Sequence, residues 1–399
     1  MFYYGLDVHR RFIQVCRIDA AGEARKDFRI DATHEAIRAF AKTLGQGDQV
    51  VLEATFHTRA IWALLVPHAG RVVVANPLQV KAIAHARIKT DKVDAHILAQ
   101  LLRTNFIPEV VMPDNETWEL RQLVTHRQLL AGKRTAVRNA IHGILHRKLL
   151  QCPYVEPFCG VGRRWLLAQK YTELERFTLE NDLSVLDELV RGVKAVEKKM
   201  VEIASKELDI KLLMTIPGVN VTVAIGLLAT IGDVTRFPTP DELASYFGLV
   251  PSVYQTAEKC YHGRITKRGR SSARWLAVEA AQTLSQMSSP LAASYHRIKR
   301  KSGHNVAVVA LARKLVVLAW HMLRNQEPYR YAPVPRTREK LRRVTPGIRP
   351  AKPGQVPRTL DAVYAEVGLP ELSAATAGEK RAAARNKRGV TLAKKRAHA

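Results

Sequence analysis

The chain has 399 residues, 47% of them apolar, which excludes a wholly disordered polymer and leads us to expect two or three globular units. It carries 63 Lys and Arg against 36 Asp and Glu, a formal charge of +27. That excess points to a large polyanion as partner, because cations that neutralise phosphates release condensed counterions.

Three apolar runs open the chain: Phe2 to Val8, Phe12 to Ile18 and Ala24 to Ile30, the last entered through a turn at Ala20-Ala21-Gly22. They read as an antiparallel meander. A helix from Thr33 follows, with Ala36, Ile37, Phe40 and Leu44 at helical spacing. Val50 to Leu52 is a fourth strand, Ile61 to Val66 lies in a helix, Arg71 to Val74 is a fifth strand, and helix runs on to about Arg103. Strands separated by helices lie parallel, so the expected fold class is α/β with a mixed sheet here and α elsewhere.

From Trp118 to Leu150 the pattern is helical, with no acid and seven Lys or Arg between Glu119 and Glu156. A solvated basic face is one reading. An all-cationic helix face repels itself, so a phosphate-rich partner explains it better, with Arg127, Lys133, Arg134 and Arg138 as nucleic-acid contacts. Between 174 and 210, Leu186, Val193 and Met200 repeat every seven, interleaved with Leu189, Val196, Ile203 and Ile210. This coiled-coil-like segment is either the core of its own domain or a self-association seam, and Glu207 breaks it. Residues 213–328 read as a mainly helical unit opening on a Pro217-Gly218 turn, a structural turn or one that approaches phosphates. The apolar run from Val306 to Leu323 carries Arg313 and Lys314 at its centre and reads as a buried helix rather than one of the ~20-residue spans that cross a bilayer. The last 71 residues hold 17 Lys or Arg against 5 Asp or Glu, and read as a disordered basic tail. The expected domains are therefore 1–155, 156–212, 213–328 and 329–399. Four cysteines show no zinc spacing, and Asp7, Arg10 and Arg11 interrupt any leader-like stretch. A cytoplasmic, nucleoid-associated protein with no membrane partner is the expectation.

Asp7 ends the first strand and Glu53 the fourth, while Asp91 and Asp94 stand near a helix start, where i and i+3 share a face. Each has an ordinary reading as turn former, cap or complement to a helix dipole. Together, four carboxylates at strand ends and a facing helix suit Mg2+ or Mn2+, and a two-metal site can act on phosphorus. His9, His57, His85 and His96 nearby lack zinc spacing and read as surface or substrate-contacting. Farther on, Arg264, Lys267, Arg268, Arg270 and Arg274 surround Ser271 and Ser272 just before a helix. Serines at such a place commonly cap. A nucleophile is also reasonable there, since arginines and the helix N-terminus can hold a phosphate and a base or metal can activate the hydroxyl.

These motifs resemble the bridge-RNA-guided transposases of the IS-one-ten family, relatives of the Piv DNA invertase. The likeness runs through Gly5-Leu6-Asp7-Val8-His9, Leu52-Glu53-Ala54-Thr55 and Lys89-Thr90-Asp91-Lys92-Val93-Asp94. It resumes at Ile216-Pro217-Gly218-Val219, Ile231-Gly232-Asp233, Arg236-Phe237-Pro238 and Phe247-Gly248-Leu249-Val250-Pro251, covering 1–326 in all. The resemblance implies a RuvC-like, RNase H-type first domain with Asp7, Glu53, Asp91 and Asp94 as its DEDD metal ligands. It further implies a serine that forms a transient phosphoserine with DNA. Gly269-Arg270-Ser271-Ser272-Ala273-Arg274 selects Ser272, with Ser271 as rival and Arg270 and Arg274 neutralising phosphate. Donor and target DNA, a structured noncoding bridge RNA and a homo-oligomer, dimer or tetramer, are the implied partners. Phe56-His57-Thr58 departs from the family, which often has a glycine soon after the Glu-Ala-Thr step. The alternatives are a RuvC-like Holliday-junction resolvase or nuclease using metal-activated water, and an architectural nucleic-acid binder.

Overall fold

The structure, a computed structural model, describes residues 1–83, 90–256, 259–287, 289–350 and 359–373. It divides into two compact units, Met1–Pro113 and Asp114–Ala399.

The first unit runs β1 (Tyr3–Val8), β2 (Phe12–Ile18), β3 (Lys26–Asp31), α1 (His34–Ala41), β4 (Gln49–Glu53), α2 (Thr58–Leu65), β5 (Arg71–Ala75), α3 (Pro77–Ile83) and α4 (Asp91–Arg103). Strand order is β3-β2-β1-β4-β5, so β1 is central, antiparallel to β2 and parallel to β4. The expected meander and mixed sheet are thus present. Alternation divides the side chains between two faces. Tyr4, Leu6, Val8, Val50 and Leu52 join Ile37, Phe40, Ile61 and Leu65 of α1 and α2 in one core. On the other face Val51 and Val73 pack on Leu98 and Leu102 of α4, and Cys16 and Ile18 on Ala95 and Ala99. Gly5 lets α4 come this close: a Cβ there would lie 2.0 Å from the Ala95 carbonyl oxygen and 2.7 Å from the Ala99 nitrogen.

The second unit contains α5 (Asn115–Arg147), α6 (Gly160–Ala168), α7 (Glu173–Lys206), α8 (Leu208–Met214), α9 (Val221–Ile231), α10 (Pro240–Tyr246), a hairpin of β6 (Pro251–Thr256) and β7 (Lys259–Ile265), α11 (Ser271–Ser285), α12 (Pro290–Asn325), α13 (Val334–Arg342) and α14 (Leu360–Glu366). Helices α5 and α7 lie antiparallel, tied by Lys148–Glu175 at 2.7 Å and Arg127–Glu197 at 2.6 Å. Ile141, Ile144 and Leu145 meet Leu179, Leu183 and Leu186 between those ties. The heptad stripe of α7 is therefore met inside the chain. Helix α7 starts on a capping box, Thr172 with Glu175, and ends where Glu207 turns extended.

Helix α5 packs with the second unit, where Val124 enters the core with Leu120 and Leu123 against it, so the compact first unit ends at Pro113. Two other features differ from expectation. The hairpin β6–β7 was not foreseen, since its strand residues are largely exposed and carry no apolar alternation. Residues 329–350 and 359–373 are folded rather than a loose tail: Leu341, Val344, Val363, Tyr364, Val367 and Leu369 are buried in the main core. The Tyr364 hydroxyl donates to the Tyr329 carbonyl at 2.6 Å, and Arg338 pairs with Glu366. The remainder of the predicted tail, 351–358 and 374–399, lies outside the described residues. Helix α12 is long and apolar enough by composition to cross a membrane, yet Leu311, Leu315, Val316 and Ala319 are buried in the core.

Candidate active site

Asp7 and Glu53 end neighbouring parallel strands. By alternation Asp7 shares its face with Gly5, and Glu53 with Val51, which is the face that α4 covers. Pairing of Asp7 with Gln14, and of Gln14 with Arg29, sets Arg29, Gln14 and Asp7 in one row across three strands. Thr90 caps α4 through the Val93 N–H at 3.3 Å and so starts the helix at Asp91. Among the described residues, the ligand atoms of Asp7, His9 and Asp91 all lie within 4.8 Å of one another. His9 Nε2 is 3.1 Å from Asp7 Oδ2 and 3.4 Å from Asp91 Oδ1. Arg29 reaches Asp91 Oδ2 at 3.5 Å while its Nε donates to Gln14 Oε1 at 3.0 Å.

Burial raises the Asp7 carboxyl above its ordinary value; His9 opposes this, and the charges of Asp91 and Asp94 add to it. The structure thus brings together Asp7 and Asp91, with Asp94 close enough to act on Asp7. Glu53 stands on the same face at the end of the next strand, outside the close group. Hard oxygen donors that crowd and repel one another suit a divalent cation. His9 as a direct neighbour of both aspartates was missed by spacing arguments. Its signal was only its place two residues beyond Asp7. His96 Nδ1 lies 3.6 Å from Cys16 Sγ, and His85 is outside the described residues.

The serines begin α11. Arg270 is the N-cap and makes no side-chain capping bond, so Ser271 and Ser272 are the first two helical residues and neither caps. Ser271 is exposed and Ser272 half-buried. They line a cavity of about 540 Å³ with Trp275 and with Arg127, Gln128, Ala131, Gly132, Arg134 and Thr135 of α5. Here α11 directs its positive end, and α5 its cations, at one space. Gln128 Nε2 and Arg134 Nε are buried there without a hydrogen-bond partner. Arg127 is engaged by Glu197 at 2.6 Å, and Arg138 stacks 5.2 Å from the Phe158 ring, its Nε also unpartnered. Arg264, Lys267, Arg268, Arg270 and Lys133 are exposed. Arg274 donates to the carbonyls of Phe247 at 3.3 Å and Lys267 at 3.1 Å, bracing the basic loop.

A cluster that the sequence reading missed adjoins Arg270. Buried Arg121 donates to the Ala229 carbonyl at 2.7 Å and the Thr230 carbonyl at 3.3 Å, capping the end of α9. Arg236 stacks between Phe237 and Tyr246, 4.5 and 4.7 Å from their centroids. Burial works to raise the Tyr246 phenol, but Arg236, Arg121 and Arg270 outweigh it and hold it below its usual value. Wide separation along the chain concealed this group.

Comparison with known proteins matches the two halves of this arrangement separately. Residues 4–149, which contain all four acids, match the DEDD transposase model of IS110 elements. Residues 210–297, which contain both serines, match the model described as "Transposase IS116/IS110/IS902 family". The transposase for insertion sequence element IS1111A of Coxiella burnetii is 25% identical over 345 residues, covering 82% of this chain and 90% of the relative. The insertion element IS110 43.6 kDa protein of Streptomyces coelicolor is 27% identical over 381 residues, covering 81% and 94%. The pilin gene-inverting protein of Moraxella bovis is 26% identical over 296 residues, covering 70% and 81%. With both family models met in order along one polypeptide, the chain is an insertion-sequence transposase of the IS110/IS116/IS902 family.

Proposed function

We propose that this transposase cuts and rejoins DNA at the ends of its element through a RuvC-like, RNase H-type carboxylate centre and a covalent phosphoserine. Asp7, Glu53, Asp91 and Asp94 would hold Mg2+ or Mn2+. When bound, the ions supply Lewis-acid stabilisation of charge on phosphate oxygens. The observation that carries this reading is the crowding of Asp7 and Asp91 at the end of the central strand. Two carboxylates held that close repel each other in the folded chain, and a cation-binding role accounts for the arrangement.

Ser272 is the nucleophile: its oxygen bonds to phosphorus, its proton passes to a base, and the displaced strand leaves with a free hydroxyl. Rejoining reverses these steps and conserves the ester. The cavity supports the assignment, because the half-buried Ser272 hydroxyl shares it with Arg134 at the positive end of α11. Arg270 neutralises phosphate from the N-cap, and Arg274 keeps the loop in place. Arg264, Lys267, Arg268, Lys133 and Arg138 hold the backbone of donor and target DNA. A structured bridge RNA supplies sequence specificity by base pairing, a partner taken from the family likeness, and the protein works as a homo-oligomer in the cytoplasm on nucleoid DNA.

Denaturing gels of the cleavage reaction test this. The parent chain is expected to give a protein–DNA adduct that needs Mg2+ or Mn2+ and disappears with a chelator. Asp7→Asn and Ser272→Ala should each reduce the adduct at least about 10³-fold. An adduct that survives Ser272→Ala but not Ser271→Ala moves the role to Ser271. Cleavage that survives both, with no adduct in any chain, leaves the nuclease that uses metal-activated water.

A further inference from the structure

The turn between β4 and α2 carries the most exposed apolar side chain among the described residues. Phe56 has 105% of its reference surface open, so nothing in the first unit covers it. The backbone that presents it is well tied. Buried Thr58 places its hydroxyl 3.2 Å from the Glu53 carbonyl and 3.0 Å from the Thr55 carbonyl, and accepts the Thr55 N–H at 2.6 Å. Ala54 N–H donates to the Ala75 carbonyl at 3.1 Å, extending the pairing of β4 with β5 by one residue. An ordered turn therefore holds the phenyl ring out in water, forgoing the burial that normally stabilises a phenylalanine.

The place of the ring argues for what covers it. Phe56 follows Glu53 by three residues, at the sheet end where Asp7 and Asp91 meet. Its turn neighbours Ala54, Thr55 and His57 are exposed and small or polar, so what this turn offers is a single aromatic ring. That is the footprint of a nucleobase and far short of the roughly 800 Å² per partner of a stable protein interface. A phosphate held at the carboxylates has a base attached through its own sugar, and every base offers a flat apolar face.

We propose that Phe56 is a base-stacking residue that takes up the unpaired nucleobase beside the phosphodiester held at the carboxylates. The inference rests on the carboxylate reading above. It makes Phe56, where the family often has a glycine nearby, a residue that positions the strand in this chain. Stacking on the ring fixes the rotation of the nucleotide and hence the phosphate beside it.

Equilibrium binding with full-length chains, all carrying Asp7→Asn so that no strand is cut, tests the idea. The probes are DNAs of the element's end, one intact and others with a single abasic nucleotide at each position flanking the cut. Phe56→Ala should weaken binding of intact DNA about 5- to 150-fold, the range expected for one stacked base, and Phe56→Trp should retain it. The Phe56→Ala loss should vanish on the one probe whose abasic site removes the stacked base. Equal affinity of Phe56→Ala and its parent for every probe overturns the proposal. So does an equal loss on all probes, which would mark a general contact. A fall in oligomer mass with unchanged DNA binding would show that a second copy of the chain covers the ring. Failure of the carboxylate reading has a different signature: cleavage by Asp7→Asn with Phe56 intact.

Discussion

Gly5 decides how near α4 can come to the central strand. Its neighbours across the gap are backbone atoms, the Ala95 carbonyl oxygen and the Ala99 nitrogen, so an added methyl cannot be met by a side-chain rotation. The opposing helix face is small for the same reason, with Ala95 and Ala99 fully buried. We expect Gly5→Ala to cost about 3 kcal/mol, the upper part of the overpacking range, with a lower urea midpoint and an unchanged slope. Gly132→Ala is the control: it lies within α5, nothing is within 4 Å of its added Cβ, and it should be neutral or stabilise by up to about 1 kcal/mol. Metal-dependent cleavage should fall further in Gly5→Ala than its stability explains, since α4 carries Asp91 and Asp94. The placing of Asp7 and Glu53 at strand ends and of Asp91 and Asp94 at a helix start was legible in sequence, because strand ends and an i, i+3 pair are periodic features. His9 and Arg29 were not. Arg29 comes to Asp91 only through strand register, which depends on which strands pair and not on local spacing.

At the scale of elements, the meander and α4 were readable because each buries one face and leaves the other to a partner. The hairpin and α13 were not, since neither shows a continuous apolar stripe. Helix α13 has a mostly polar sequence and docks through Leu341 and through Lys340, whose ammonium donates to the Ile216 carbonyl at 2.8 Å, just before the Pro217-Gly218 turn. That turn is structural: a Cβ on Gly218, which has φ +86°, would meet the Ala280 carbonyl of α11 at 2.6 Å. Burial draws Lys340 from 10.5 down to about 7. The folded chain therefore gives up this proton near pH 7 while the unfolded chain holds it to about pH 10.5. Between those values the unfolded state binds more protons, so raising the pH stabilises the fold. Below pH 7 both states are charged and the cost of burying the ammonium is fully present. Urea midpoints of the parent chain should rise relative to those of Lys340→Met from about pH 7 toward pH 10. Parallel pH profiles for the two chains would show that Lys340 does not titrate in this way.

Across the whole molecule, charge and composition pointed to the partner class but not to how the basic segments pack. The cations of α5 read as a nucleic-acid face and those after 329 as a disordered basic tail, yet each region contributes apolar residues to the core of the second unit. Composition averages over a segment, whereas burial is decided residue by residue. Seven widely spaced apolar side chains suffice to dock the region after 329: Tyr329, Leu341, Val344, Val363, Tyr364, Val367 and Leu369, all less than 9% exposed. The Tyr329 N–H donates to buried Thr215 Oγ1 at 2.8 Å, so the docking also satisfies a polar group of the core. Burying each such side chain contributes about 1.5–3 kcal/mol, against a total domain stability of about 5–15 kcal/mol. A chain ended at Pro328 should therefore lose the cooperative unfolding of its second unit, read as low amide-exchange protection across α8, α9 and α12. Leu341→Ala, which removes one of these contacts, should cost about 2–5 kcal/mol and leave a folded chain. Were the chain 1–328 to keep the parent's urea midpoint and merely bind DNA less tightly at low salt, the segment after 329 would have only the electrostatic role that its composition suggests.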